Sequence, residues 1–188
     1  MRTDRVCHFP GRMLLKGKTT ARNFSRVKYV SKRTETSVDS TVANFKKLVK
    51  ENFHAGTIFH RIIKDFMIQG GGMVPTPDED GKGITYDTKD ADEIFGEFDS
   101  NGFTNNLYHV RGVISMARTD VKNSASCQFF IVHEDSAHLN GDYASFGYVL
   151  AGMDVVDAIA NCKEFIEPNS TMPMDDIIIE SITFVEPK

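Results

Sequence analysis

Phe59-His60-Arg61-Ile62-Ile63-Lys64-Asp65-Phe66-Met67-Ile68-Gln69-Gly70-Gly71-Gly72 decides how the rest of the chain is read. Residues 57–63 and 66–69 are apolar and β-prone, broken by the polar pair Lys64-Asp65 and ended by the glycine triplet. They predict two short strands. Strand parity puts Met67 and Gln69 on one face. Further along, Gln128 and Phe130 share a face, while Phe129 and Ile131 look the other way. Each pair combines one apolar wall with one amide.

Working outward, Val42, Phe45 and Val49 recur at i, i+3 and i+7 with Leu48 beside them, and Lys46, Lys47, Lys50 and Glu51 lie mostly on the opposite side. That is an amphipathic helix, with Asp39 or Ser40 as its expected N-cap. Residues 74–93, rich in Pro, Gly and Asp, predict a long surface loop. Residues 110–117, 127–133, 146–149 and 177–185 predict strands, with 118–126 a polar loop between the first two. Asp154 is the expected cap of a second helix burying Val155, Val156, Ile159 and Ala160. Many short strands, two separated helices and no βαβ rhythm predict a mainly β, closed or nearly closed antiparallel barrel with helices at its ends.

The chain has 188 residues, 40% hydrophobic and 26% charged, with 14 Phe and no Trp. It suits one domain with a Phe-rich core. Cys7, Cys127 and Cys162 are odd in number and far apart, which argues against a disulfide framework and for a reducing, cytoplasmic setting. No apolar run is long enough to span a membrane or to serve as a secretory signal. Asn23-Phe24-Ser25 and Asn169-Ser170-Thr171 fit a glycosylation pattern too short to carry weight. Net charge is −4, unevenly placed: residues 1–33 carry ten Lys or Arg and one acid, Asp4. The acidic remainder argues against nucleic acid as a partner, and the basic head reads as a solvated charge run rather than a membrane contact. An acidic soluble composition predicts a monomer.

Three motifs carry little. His133-Glu134-Asp135-Ser136-Ala137-His138 is similar to a zinc-protease HExxH, but its histidines are i, i+5 and do not share a helical face, so no metal is expected. Gly70–Gly72 lacks the Lys-Ser/Thr of a phosphate loop. Cys127 and His133 share strand parity, yet Cys127 sits in an apolar run where inert buried thiols are common.

The opening stretch resembles the cyclophilin signature Phe-His-Arg-(apolar)-Ile-x-x-Phe-Met-x-Gln-Gly-Gly. Further blocks agree: Arg111-Gly112-Val113-Ile114-Ser115-Met116-Ala117-Arg118, then Ser126-Cys127-Gln128-Phe129-Phe130-Ile131, then Leu139-Asn140-Gly141 with Phe146-Gly147, and Gly152-Met153-Asp154-Val155-Val156-Asp157. The resemblance runs from about 41 to 185, and the Met-Ala-Arg-Thr spelling is bacterial-like. It implies an eight-stranded barrel capped by two helices, an isomerase domain over 37–188, and peptidyl-prolyl cis–trans isomerase activity on proline-containing peptides and folding proteins, without a cofactor. It implies Arg61 as the catalytic arginine. Phe66, Met67, Phe130 and Leu139 would line the proline pocket, and Gln69, Ala117, Arg118 and Gln128 would contact the substrate backbone. Arg61 alone would read as a surface or ion-paired arginine, which the ordered motif reverses; Phe66, Met67 and Phe130 also fit ordinary core, and parity alone does not decide between the two.

The chemistry suits these residue types. Rotation about an X–Pro bond faces a barrier of about 18–20 kcal/mol from amide resonance. Twisting frees a lone pair on the prolyl nitrogen, and a fixed, always-charged donor aimed at it favours the twisted state alone. Lowering the barrier by about 5 kcal/mol would speed rotation on the order of 10⁴-fold.

Two site positions depart from the best-known form of the family. His138 stands where that form has Trp, which implies weak cyclosporin binding. Tyr143 stands where it has His and keeps a ring on the pocket wall. The larger departure is residues 1–36, where the family places two alternating strands and this chain shows no strong period, only a hint at Val27 and Tyr29. A divergent hairpin, a basic targeting leader and a frame error each fit, and an atypical or damaged segment is the favoured reading.

Overall fold

A computed structural model describes residues 12–18, 23–30, 39–162 and 164–185. Among the described residues ten strands and two α-helices follow in the order β1 (Arg12–Lys18), β2 (Asn23–Val30), α1 (Asp39–Lys50), β3 (Phe59–Ile63), β4 (Met67–Gly70), β5 (Met73–Pro77), β6 (Ile84–Thr88), β7 (Val113–Met116), β8 (Phe129–Val132), β9 (Ser145–Ala151), α2 (Met153–Ala160) and β10 (Ile178–Val185). Eight strands form one antiparallel sheet ordered β10-β1-β2-β9-β7-β8-β4-β3. Its two ends meet: Phe59 N–H donates to Ile177 O at 2.9 Å, Ile179 N–H to Thr57 O at 2.7 Å and Gly56 N–H to Ile179 O at 2.9 Å. The expected barrel therefore closes between the approach to β3 and the start of β10, which leaves no free edge there.

Alternation along the strands sorts side chains between two apolar clusters. Ile62, Ile68, Ile114, Phe129, Ile131, Phe146 and Ile179 face inward, joined by Phe45 and Val49 of α1 and by Val156, Ile159 and Ala160 of α2. A second cluster of Met67, Val113, Phe130, Val132 and Leu139 lies on the outer face of β4, β7 and β8. The residues that could have been ordinary barrel core are thus outside it.

The structure corrects two local expectations and adds a distant contact at the N-terminus of α1. The segment 74–93 is not all loop: β5 and β6 pair from Met73↔Thr88 to Pro77↔Ile84 as a separate two-stranded ribbon. β-branched Val74, Thr76, Ile84, Thr85 and Thr88 favour extension, while Pro75 and Pro77 lack the N–H a central strand would need, so the ribbon stays outside the barrel. Asp154 is not the cap of α2. Gly152, at φ 97°, holds that position, and Asp154 lies in the first turn. α1 is capped from a distance. Glu97, 4% exposed, accepts the N–H of Ser40 at 3.0 Å and of Thr41 at 2.8 Å.

The N-terminal segment without a legible period contains β1 and β2. β1 lies between β10 and β2, and β2 reaches β9. Register shifts interrupt each of these three pairings, and a broken register erases a clean period of two.

Candidate active site

The outer cluster forms the floor of a cleft. β4 pairs with β8 so that Gln69 stands opposite Phe130 and Met67 opposite Val132, while Ser115 of β7 faces Phe130 from the other side. Gln69, Phe130 and Ser115 thus share the outward face, and Ile68, Ile131 and Ile114 the inward one. β3 adds Arg61 opposite Gln69 and Ile63 opposite Met67.

A pocket of about 140 Å³ opens on this face. Arg61, Phe66, Met67 and Gln69 come from β3, β4 and their connection; Phe130 comes from β8; Ala117 and Arg118 come from the segment after β7, and Leu139 and Tyr143 from the segment after β8. Nine residues expected from the sequence converge here. The other two stand beside it. Gln128 lines an adjacent, more polar recess with Asp90, Glu93, Ser124 and Ser126, which Gln69, Ala117 and Arg118 also border. His138 is exposed at the rim, its ring 5.2 Å from that of Phe66.

Arg61 is held by neutral partners. Its Nη1 donates to Gln69 Oε1 at 3.3 Å and lies 3.9 Å from Met67 Sδ. Gln69 Nε2 donates onward to Gln128 Oε1 at 2.9 Å. This chain fixes both amide orientations, because the guanidinium can only donate. Among the described residues no carboxylate forms an ion pair with Arg61, so its charge and remaining N–H groups stay available to a ligand.

The rest of the wall is braced. Arg118 Nε donates to Asp142 O at 2.9 Å and Nη1 to Thr119 O at 2.8 Å, with the guanidinium 4.6 Å from the Tyr143 ring centroid. Tyr143 meets Phe130 edge-on at 5.9 Å. Sequence reading missed His109, which no local pattern marks. It stacks behind Phe130 at 5.9 Å and 16°, donates from Nδ1 toward Asn140 Oδ1 at 3.2 Å, and sits with Nε2 3.0 Å from Ser115 Oγ. Burial lowers its pKa from 6.5 to about 4, so it is neutral at pH 7. The pocket therefore has an apolar floor, aromatic and amide walls and, in Arg61, a cation that no carboxylate among the described residues pairs.

The weighed alternatives fall on other groups. Cys127 is buried with Sγ donating to Lys89 O at 3.2 Å, and burial raises its pKa, so it is not an activated thiolate. His133 instead meets Asp65 and Asp157, its Nδ1 accepting the Asp65 N–H at 3.0 Å. Among the described residues no group of three His, Cys, Asp or Glu is placed to hold a metal.

Residues 34–184 match the family described as Cyclophilin type peptidyl-prolyl cis-trans isomerase/CLD. A peptidyl-prolyl cis-trans isomerase of Acinetobacter baylyi is 42% identical over 136 residues, 70% of this chain and 63% of that protein. One from Streptomyces antibioticus is 38% identical over 87% of this chain and 96% of its own length. Peptidyl-prolyl cis-trans isomerase B of Escherichia coli is 36% identical over 84% and 93%. A crystal structure of a Cryptosporidium parvum cyclophilin type peptidyl-prolyl cis-trans isomerase aligns with a TM-score of 0.70 at 26% identity, over 96% of this chain and all of that one. A second crystal structure of that protein, obtained in the presence of the dipeptide Ala-Pro, aligns at 0.68 over 94% and 99%. With the barrel, the outward cleft and four-fifths of its length matched to one family, this chain belongs to the cyclophilin-type peptidyl-prolyl cis–trans isomerases.

Proposed function

We propose that this chain isomerises X–Pro bonds in the cleft on the outer barrel face, with Arg61 favouring the twisted amide. The observation that carries this reading is the unpaired guanidinium beside an apolar slot. A prolyl ring fits against Phe130, Met67, Phe66 and Leu139. That puts the prolyl nitrogen within reach of Arg61, whose N–H groups gain an acceptor only when the amide leaves planarity. One flank of the peptide must be held while the other turns. Gln69, Gln128 and the backbone at Ala117 and Arg118 offer the donors and acceptors to hold it.

Nothing covalent forms and no proton moves, so the step needs a fixed cation and a dry slot rather than a nucleophile. Substrates are proline-containing segments of peptides and of folding proteins. The exposed His138 favours weak cyclosporin binding, because an imidazole offers less apolar ring surface than the indole of the best-known form. We also propose that residues 12–18 and 23–30 belong to the same barrel domain as the rest, that the protein is monomeric, and that it works in a reducing cytoplasmic setting where Cys127 and Cys162 remain thiols.

The test is Arg61→Ala in a proline-peptide isomerisation assay. Loss of kcat/KM by about 10²–10³-fold in a folded variant is the expected result, the scale of removing one charge-stabilising donor. Undiminished activity would remove Arg61 from the mechanism.

A further inference from the structure

The β3–β4 ladder contains one residue too many. Phe59 pairs with Gly70 and Arg61 with Gln69, leaving His60 without a partner on β4. The next two pairs, Ile62↔Ile68 and Ile63↔Met67, are regular. Without an insertion, residues two apart on β3 would share a face, so Arg61 would follow Phe59 into the barrel. Phe59 and Ile62 both lie in the interior cluster, three residues apart. The face must therefore switch between them, and the bulge at His60 is where it does.

We infer that His60 is a positioning residue: its backbone insertion turns Arg61 onto the cleft face and fixes the direction of the guanidinium. The inference rests on the proposed role of Arg61. A bulge adds one residue, bends its strand and re-aims the side chains that follow. Here it resolves a conflict between two needs of the same short strand. Phe59 must fill the core, where its ring meets Phe129 at 6.1 Å. Two positions later, a cation must face solvent. The imidazole is not the anchor at Nδ1, which is buried without a hydrogen-bond partner. What matters is the extra set of backbone torsions and their stiffness. Gln69 then receives a guanidinium already delivered to its side of the sheet.

The test compares backbone with ring. In His60→Gly the bulge gains torsional freedom, and kcat should fall about five- to tenfold with KM within about twofold. His60→Ala, which restores stiffness without the ring, should recover most of that loss. In the Arg61→Ala background His60→Gly should change the residual kcat by less than about twofold, because its effect passes through Arg61. Wild-type kcat in His60→Gly, an alanine variant as impaired as the glycine one, or a loss that persists without Arg61 would each overturn the inference. An Arg61→Ala variant with full activity would instead overturn the reading on which it rests.

Discussion

Arg61 lies directly across the β3–β4 ladder from Gln69 and donates to its Oε1 at 3.3 Å, while Gln69 in turn donates to Gln128 at 2.9 Å. A neutral amide steers the guanidinium without cancelling its charge. Two substitutions separate those effects. Gln69→Leu removes the steering and should lower kcat about tenfold, since one hydrogen bond to a charged group is worth about 1.5–3 kcal/mol and part of it is replaced by solvent. Gln69→Glu supplies a stronger bond but pairs the charge. It should therefore lower kcat further than leucine does. Steady-state isomerisation kinetics on a proline peptide read both. A glutamate variant more active than the leucine one would mean that orientation, not free charge, limits the reaction.

Tyr143 occupies the wall between the Arg118 guanidinium, 4.6 Å from its ring, and the edge of Phe130 at 5.9 Å. Tyr143→Ala should open the proline slot and raise KM several-fold, on the order of 1 kcal/mol for the lost ring contacts. It should leave kcat less affected, because in the proposed mechanism Arg61, not this ring, meets the prolyl nitrogen. Tyr143→Phe should retain more of the wild-type KM than the alanine variant, since the ring rather than the hydroxyl makes these contacts. Equal KM values for the two variants would show that the ring does not wall the slot.

Glu97 ties the loop after β6 to the N-terminus of α1 through the N–H groups of Ser40 and Thr41. Its carboxylate is buried, and negative charge at a helix N-terminus is stabilised by the backbone dipoles there. Glu97→Ala should cost about 2–4 kcal/mol of unfolding free energy by orphaning two donors, and urea titration measures it. Activity per folded molecule should change little, because neither group borders the cleft. A loss below about 0.5 kcal/mol would place the helix cap elsewhere.

Much of this was legible in the sequence, for reasons that differ by element. α1 and α2 announced their buried faces through a period of 3.6. The cleft was legible because Met67, Gln69, Gln128 and Phe130 alternate on strands and sit in ordered motifs. What stayed hidden depended on contacts between distant segments. The α1 cap comes from a residue more than fifty positions away, so no local pattern could reveal it. His109 works by stacking behind Phe130, and a single histidine has no signature. The His60 bulge inverts parity inside a strand whose composition looks regular. β1 and β2 carry register shifts against their partners, and the period that would have marked them is lost at those shifts.

Two buried histidines should make the fold sensitive to acid. His54 is 1% exposed; its Nε2–H donates to Cys127 O at 3.1 Å, while Nδ1 is buried without a partner among Phe45, Phe53 and Phe129. Protonating Nδ1 would bury a cation with nothing to accept its N–H. Burial holds the pKa near 4, as it does for His109. In the unfolded chain both titrate near 6.5. Above that value neither histidine binds a proton in either state, and their contribution is complete. As pH falls below 6.5 the unfolded chain takes up protons that the folded chain refuses, so stability declines until the folded histidines titrate near 4. A fall from 6.5 to about 4 corresponds to about 3 kcal/mol per histidine. Unfolding free energy from urea titrations should therefore drop steeply between pH 6.5 and 4. His54→Phe keeps an aromatic ring in the stack and removes one titrating site, so it should make that decline shallower by at most about 3 kcal/mol, with His109, His60 and the carboxylates still contributing. An unchanged slope in this variant would show that His54 is not neutral in the folded protein.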